Sequence, residues 1–129
     1  MKRESQGNLF KRFILNTIHS INGIKVLCKE EKSIVLVLLY AMLALFGCIL
    51  LQVSFKVYFI LSICFLLLFA TELLNTAIEN TVDLVTNKYH ELAKKAKDQG
   101  SAATGVVAFI TLLVMIYLFI PYIMRLFEQ

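Results

Sequence analysis

Residues 71–85 read TELLNTAIENTVDLV. The stretch follows an uncharged apolar run, yet it carries Glu72, Glu79 and Asp83, with Asn75 and Thr76 among them. Placed on one helix at about 100° per residue, Glu72, Asn75, Thr76, Glu79 and Asp83 fall at about 0°, 300°, 40°, 340° and 20°. All five therefore share one stripe, and Leu73, Leu74, Ala77, Ile78, Val82 and Leu84 occupy the other faces. A membrane helix that begins near Val57 needs about 20 residues to cross the hydrocarbon, so its inner boundary falls near Thr76. Glu72 then sits about one turn inside the apolar slab. A carboxylate there costs at least a few kcal/mol unless it is partnered, hydrated or protonated, which makes it a functional candidate by default.

The rest of the chain supports a membrane reading. Of its residues 59% are hydrophobic and only 17% charged, whereas a soluble domain is nearer a quarter charged. Three apolar runs account for the excess: 34–51, 57–71 and 102–124. The first and third are long enough to span, and the second becomes so if it continues past Glu72. The polar opening MKRESQGNLF lacks the pattern of a cleavable signal peptide. Cys28, Cys48 and Cys64 form no CxxC spacing and read as packing residues.

Eleven of the 13 Lys and Arg residues precede the first run or lie between the second and third; only Lys56 and Arg125 do not. The positive-inside rule thus puts the N-terminus and the 80–100 loop in the cytoplasm. Residues 9–28 place Phe10, Phe13, Ile14, Ile18, Ile21 and Ile24 at helical spacing, with Lys11, Arg12, Asn16, His19 and Asn22 between them. This is an amphipathic helix lying at the membrane surface. Gly23 weakens it and allows a bend or a close contact. The expected architecture is an all-α membrane protein. It has one surface helix at 8–30 and membrane helices at 34–51, 55–85 and 101–126, in a single domain over 1–129. The second membrane helix runs on into the cytoplasm. No nucleic-acid-binding module is recognisable, so no nucleic-acid partner is expected.

Three carboxylates in a row repel one another and call for a positive counterpart. A divalent cation is one answer, because hard oxygen donors suit Mg²⁺. The basic segment 88–97 is another. Glu30 and Glu31, just before the first run, lie at the same interface as Glu79 and can share a metal with it. Lys94, Lys95 and Lys97 beside Asp98 can cradle phosphate. The competing explanations are a polar seam that fixes helix register and a solvated charged loop. Gly100 reads as a break before the third helix. The small residues Ser101 with Gly105, and Thr104 with Ala108, permit close helix packing. Neither a GxxxxGK[ST] phosphate loop nor a protein-kinase glycine loop is present in the sequence.

The run ELLNTAIENTVD, residues 72–83, resembles the signature E-x-[aliphatic]-N-[ST]-[SA]-[aliphatic]-E-x-x-V-D of the small integral-membrane diacylglycerol kinases of bacteria. Tyr89, His90, Glu91, the run Ala96-Lys97-Asp98 with Gly100-Ser101-Ala102-Ala103, and the spacing of Arg12, Ser20, Gly23 and Glu31 are similar to that family too. The resemblance implies a homotrimer with active sites at subunit boundaries and phosphorylation of diacylglycerol by MgATP. It implies Glu72 as the base at the lipid hydroxyl, Asn75 orienting Glu72, and Glu31 and Glu79 holding Mg²⁺ on the ATP phosphates. It puts Asp83, Lys97 and Asp98 at the nucleotide, and Lys88, Tyr89, His90 and Glu91 near its adenosine end. Arg12 and His19 would line the site from the surface helix, with Arg12 and Ser101 near the lipid; His19 stands where the family commonly has an aromatic. After Glu31 the family often shows a Phe-Arg-x-Glu-like run, replaced here by Ile34-Val35-Leu36-Val37. The implied location is the bacterial inner membrane. An undecaprenol kinase of the same fold is the nearest alternative. A small proton-coupled transporter is a more distant one, and a non-enzymatic assembly protein a third.

Overall fold

The computed structural model describes residues 9–30 and 32–128. Glu31, one of the two expected metal ligands, lies outside them. The described residues form four helices: α1 (Leu9–Glu30), α2 (Ser33–Leu50), α3 (Phe55–Val85) and α4 (Glu91–Phe127). The last three are long and apolar enough to cross a membrane. The protein is therefore all-α, with α3 spanning the expected 55–85.

α3 is the central element: it packs chiefly on α4 and less extensively on α2, while α1 touches α2 and α3 only lightly. α1 leaves both Phe10 and Phe13 exposed, as expected of a helix whose apolar side meets lipid. It is continuous through Gly23, and among the described residues nothing lies within 4 Å of where a Cβ would stand there. Among the described residues, the close contact that Gly23 would allow is not made.

The hairpin between α2 and α3 closes with a helix-ending motif. Gln52 adopts a left-handed conformation (φ 47°), its N–H donates to Ile49 O (3.2 Å), and Val53 N–H donates to Cys48 O (3.2 Å). These are the two bonds of a Schellman motif, which satisfies carbonyls that a helix end leaves open. The motif also turns Val53 onto Cys48, and both join Val57 and Leu61 in a buried cluster. Met115, Leu118, Phe119 and Tyr122 of α4 pack against that cluster. Tyr122 Oη accepts a hydrogen bond from Ser54 N–H (3.2 Å), where the start of α3 leaves an unsatisfied donor. Gly47 lets α4 come close: a Cβ there would stand 3.0 Å from the Phe119 ring.

α4 departs from expectation. Its 37 residues extend about 55 Å, well beyond a bilayer core of about 30 Å. It begins at Glu91 rather than at 101, and it passes through Gly100 unbroken. The charged segment read as a loop is thus mostly helix, leaving only 86–90 as connector. Local chemistry accounts for this. His90 caps the helix, its side chain accepting from Leu92 N–H (3.2 Å), and Glu91 sits in the first turn, where the helix dipole favours an anion. Glu91–Lys95 (2.7 Å) and Lys94–Asp98 (4.0 Å) pair at four-residue spacing, each adding a few tenths of a kcal/mol to the helix.

Candidate active site

The buried residues of α3 are Val57, Leu61, Leu68, Glu72 and Thr76. Their spacing keeps one face turned inward. That face is apolar as far as Leu68 and becomes polar at Glu72, so the expected polar stripe continues the packing face of the helix. Burial falls along it. Glu72 and Thr76 are 5% and 7% exposed, Asn75 and Glu79 are half-buried, and the Asp83 side chain is 58% exposed. By helix rise, Glu72 lies roughly 10 Å from Glu79, and Asp83 roughly 6 Å further on.

Among the described residues no hydrogen bond or ion pair reaches the Glu72 carboxylate. A carboxylate on the packing face of a helix, in a residue only 5% exposed, adds little to apolar packing, so the position is a functional candidate. Asn75, expected to orient Glu72, instead donates from Nδ2 to Glu79 Oε1 (3.0 Å). Its other end, Oδ1, is buried without a partner. That oxygen lies against Gly100 of α4, where a Cβ would be only 2.5 Å away. Gly100 thus serves close approach between two helices, and this is why glycine stands inside a continuous helix.

The Asp83 end of the stripe opens into a pocket of about 310 Å³ between the end of α3 and the start of α4. Six of the expected nucleotide residues line it: Asp83, Lys88, Tyr89, His90, Lys97 and Asp98. Lys94 joins them, together with Thr86 and Asn87. The connector is pinned by Thr86, whose Oγ1 accepts from Lys88 N–H (3.1 Å) and lies 3.2 Å from Lys88 O. Thr86 and Asn87 carry no charge or motif signal, so their place in the pocket is visible only once the chain turns. Lys97 Nζ is paired with Asp83 Oδ1. An ion pair this exposed is worth about 1 kcal/mol or less, so an arriving phosphate can take the lysine.

Other expected residues stand apart. Glu91 does not line the pocket; it faces solvent and pairs with Lys95. Arg12 and His19 are exposed on α1 and make no bond to the acidic stripe. Ser101 is exposed beside Gly100. Among the described residues no group of three or more His, Cys, Asp or Glu side chains could hold a metal ion. Glu79 is nevertheless a half-buried, oxygen-only donor with a second carboxylate oxygen that Asn75 does not engage. That chemistry fits Mg²⁺, a hard cation that keeps most of its ligands as water or phosphate oxygen.

Residues 18–119 match the family described as prokaryotic diacylglycerol kinase. The chain is 34% identical over 121 residues to an undecaprenol kinase of Bacillus subtilis, covering 94% of this chain and 98% of that protein. It is 36% identical over 99 residues to a diacylglycerol kinase of Haemophilus influenzae, covering 72% of this chain and 79% of the other. With a diacylglycerol kinase of Escherichia coli it shares 44% identity over 55 residues, covering 40% and 45% of the two chains.

Proposed function

The chain belongs to the prokaryotic diacylglycerol kinase family, and from that premise we propose that it transfers the γ-phosphoryl group of ATP to the hydroxyl of a membrane lipid alcohol. The observation that carries this reading is the position of Glu72. It is a buried carboxylate without a partner among the described residues, at the head of a polar stripe that leads out to a lysine-rich pocket. Phosphoryl transfer asks a protein mainly to position the reactants and to neutralise charge, and this layout separates the two tasks by depth.

The nucleotide enters the pocket between Asp83 and Asp98. Lys97 leaves Asp83 for phosphate, with Lys88 and Lys94 adding positive charge, while Tyr89 and His90 border the base end. The triphosphate then lies along the stripe toward Glu79. Mg²⁺, when bound, draws off phosphate charge; Glu79 would hold it, with Glu31 as the second carboxylate of the reading. The lipid alcohol approaches Glu72 from within the bilayer. Glu72 takes the hydroxyl proton as the alcohol oxygen bonds to the γ-phosphorus, and the bond from that phosphorus to the bridging oxygen breaks to release ADP. A base at that depth selects an acceptor that reaches it from the membrane, and buried surroundings keep water from competing. The homotrimer, the cytoplasmic placement of the pocket and the bacterial inner membrane belong to the same proposal.

Two alcohols are in contention. The Tyr-His-Glu-Leu and Lys-Asp-Gln-Gly-Ser-Ala-Ala runs favour diacylglycerol. The match to an undecaprenol kinase extends over nearly the full length of both chains, and this moves our reading toward the isoprenoid alcohol, with diacylglycerol second. Purified protein in detergent or bilayer is given labelled ATP with each alcohol, with and without Mg²⁺. Label is expected on undecaprenol, dependent on the metal. Label on diacylglycerol alone reverses the order, and label on neither under any salt condition removes the kinase reading.

A further inference from the structure

The α3–α4 interface holds two buried polar atoms that have no partner: Asn75 Oδ1 on α3 and Thr104 Oγ1 on α4. They belong to one place. Asn75 Oδ1 lies on Gly100, and Thr104 is one turn further along α4 on the same face, about 6 Å away by helix rise. The Cα–Cβ bond of a helical residue tilts toward the helix N-terminus, so Thr104 leans back toward Gly100 and hence toward the amide. The neighbouring hydroxyl of Thr111 is satisfied by the carbonyl four residues earlier, Val107 O (2.8 Å); that of Thr104 is not.

The amide matters because of its other end. Asn75 Nδ2 donates to Glu79, and an Asn side chain is nearly symmetric in shape, so only hydrogen bonding decides which end points where. If the amide turned over, its oxygen would face the Glu79 carboxylate and repel it. Packing against Gly100 supplies space for Oδ1 but no donor. A buried hydroxyl without a partner, that of Thr104, stands one turn from Gly100 on the same face of α4.

We propose that Thr104 is a positioning residue, whose hydroxyl donates to Asn75 Oδ1 through one water, and so holds Nδ2 on Glu79 and Glu79 in place for the nucleotide's metal. The inference deepens the reading of Glu79 given above and rests on it. Thr104 touches neither substrate; it acts through Asn75.

The test compares Thr104→Val, which keeps the shape and removes the hydroxyl, with Thr104→Ser, which restores it. Binding of Mn²⁺ with ATP is followed by the spin-resonance signal of free Mn²⁺, and the Asn75 side-chain amide is followed by NMR. One hydrogen bond corresponds to a change of about 3- to 10-fold, so Thr104→Val is expected to weaken Mn²⁺·ATP binding by about that factor and to shift the Asn75 amide resonances. Thr104→Ser is expected to stay near wild type in both. Wild-type binding by Thr104→Val, a loss of thermal stability with no change in binding, or failure of Thr104→Ser to rescue overturns the proposal. Neither readout needs lipid turnover. A protein inert toward both alcohols therefore leaves this test standing, and a failed clamp leaves the transfer assay standing. A wild type that binds no Mn²⁺·ATP overturns the clamp by itself.

Discussion

The two ends of the α3–α4 pair are built on opposite principles. At the hairpin end, Val57 and Leu61 join Cys48 and Val53 under the aromatic residues Phe119 and Tyr122 of α4. The chain there closes with a complete helix-ending motif and a tyrosine that accepts the first free N–H of α3. At the other end the same face of α3 carries Glu72, Asn75 and Thr76, and the interface contains an amide oxygen and a threonine hydroxyl left without partners. Apolar packing and satisfied hydrogen bonds stabilise; unsatisfied buried polar groups cost. The hairpin end therefore holds the helices together, and the polar end uses part of that stability to keep reactive groups poised.

The sharpest way to break this contrast is Glu72→Gln. The amide fits the same space and cannot take a proton. If the polar end is for chemistry, lipid phosphorylation falls by about 10²- to 10⁴-fold, the range for loss of a general base, while thermal stability holds or rises because a buried carboxylate is gone. Loss of folding or assembly along with activity would make Glu72 structural and erase the distinction between the two ends.

Gly100→Ala is next in size. The added methyl would lie 2.5 Å from Asn75 Oδ1, so the amide must leave its place or the helices must part. Off-rotamer adjustment of a packed side chain costs about 1–3 kcal/mol, which corresponds to roughly 5- to 150-fold in whatever depends on that geometry. We expect a loss of MgATP affinity and turnover in that range. The same change in an ordinary exposed helix would stabilise by up to about 1 kcal/mol. A more stable, fully active Gly100→Ala would show that the approach of Asn75 to α4 has no bearing on the site.

Gly100 also marks the limit of what the sequence discloses. α2 and α3 were legible to within about a residue, because long apolar runs and a one-sided polar stripe are periodic signals. The start of α4 was not. Helix propensity makes glycine a breaker, and a lysine-rich segment resembles a solvated loop, whereas tertiary contact keeps Gly100 helical and i, i+4 pairs support the turns before it. The stripe from Glu72 to Asp83 was readable because it lies on one helix. The direction of the Asn75 amide was not, since a bond to Glu79 rather than Glu72 depends on what stands across the interface. Thr104 read only as a small packing residue for the same reason. Thr86 and Asn87 reach the pocket through the fold of the connector, which leaves no trace in residue type.

The smallest effect is expected at the hairpin end, where Tyr122→Phe removes a single hydrogen bond. The ring remains, and with it the packing on the buried cluster and the contact with Arg125, whose guanidinium carbon lies 5.8 Å from the ring centroid. Only the acceptor for Ser54 N–H is lost. In a helical membrane protein such a bond is worth about 0.5–1 kcal/mol, and the freed N–H lies at an exposed turn where water can replace the tyrosine. Thermal inactivation in detergent should come slightly earlier, while turnover per folded protein and affinity for MgATP stay as in the wild type. That asymmetry is the point of the measurement. A change at the hairpin that moves stability and not catalysis, set beside Glu72→Gln moving catalysis and not stability, separates the two ends. If Tyr122→Phe instead slowed phosphoryl transfer, the hairpin would be coupled to the chemistry through the length of α3, and the division of labour along that helix would have to be abandoned.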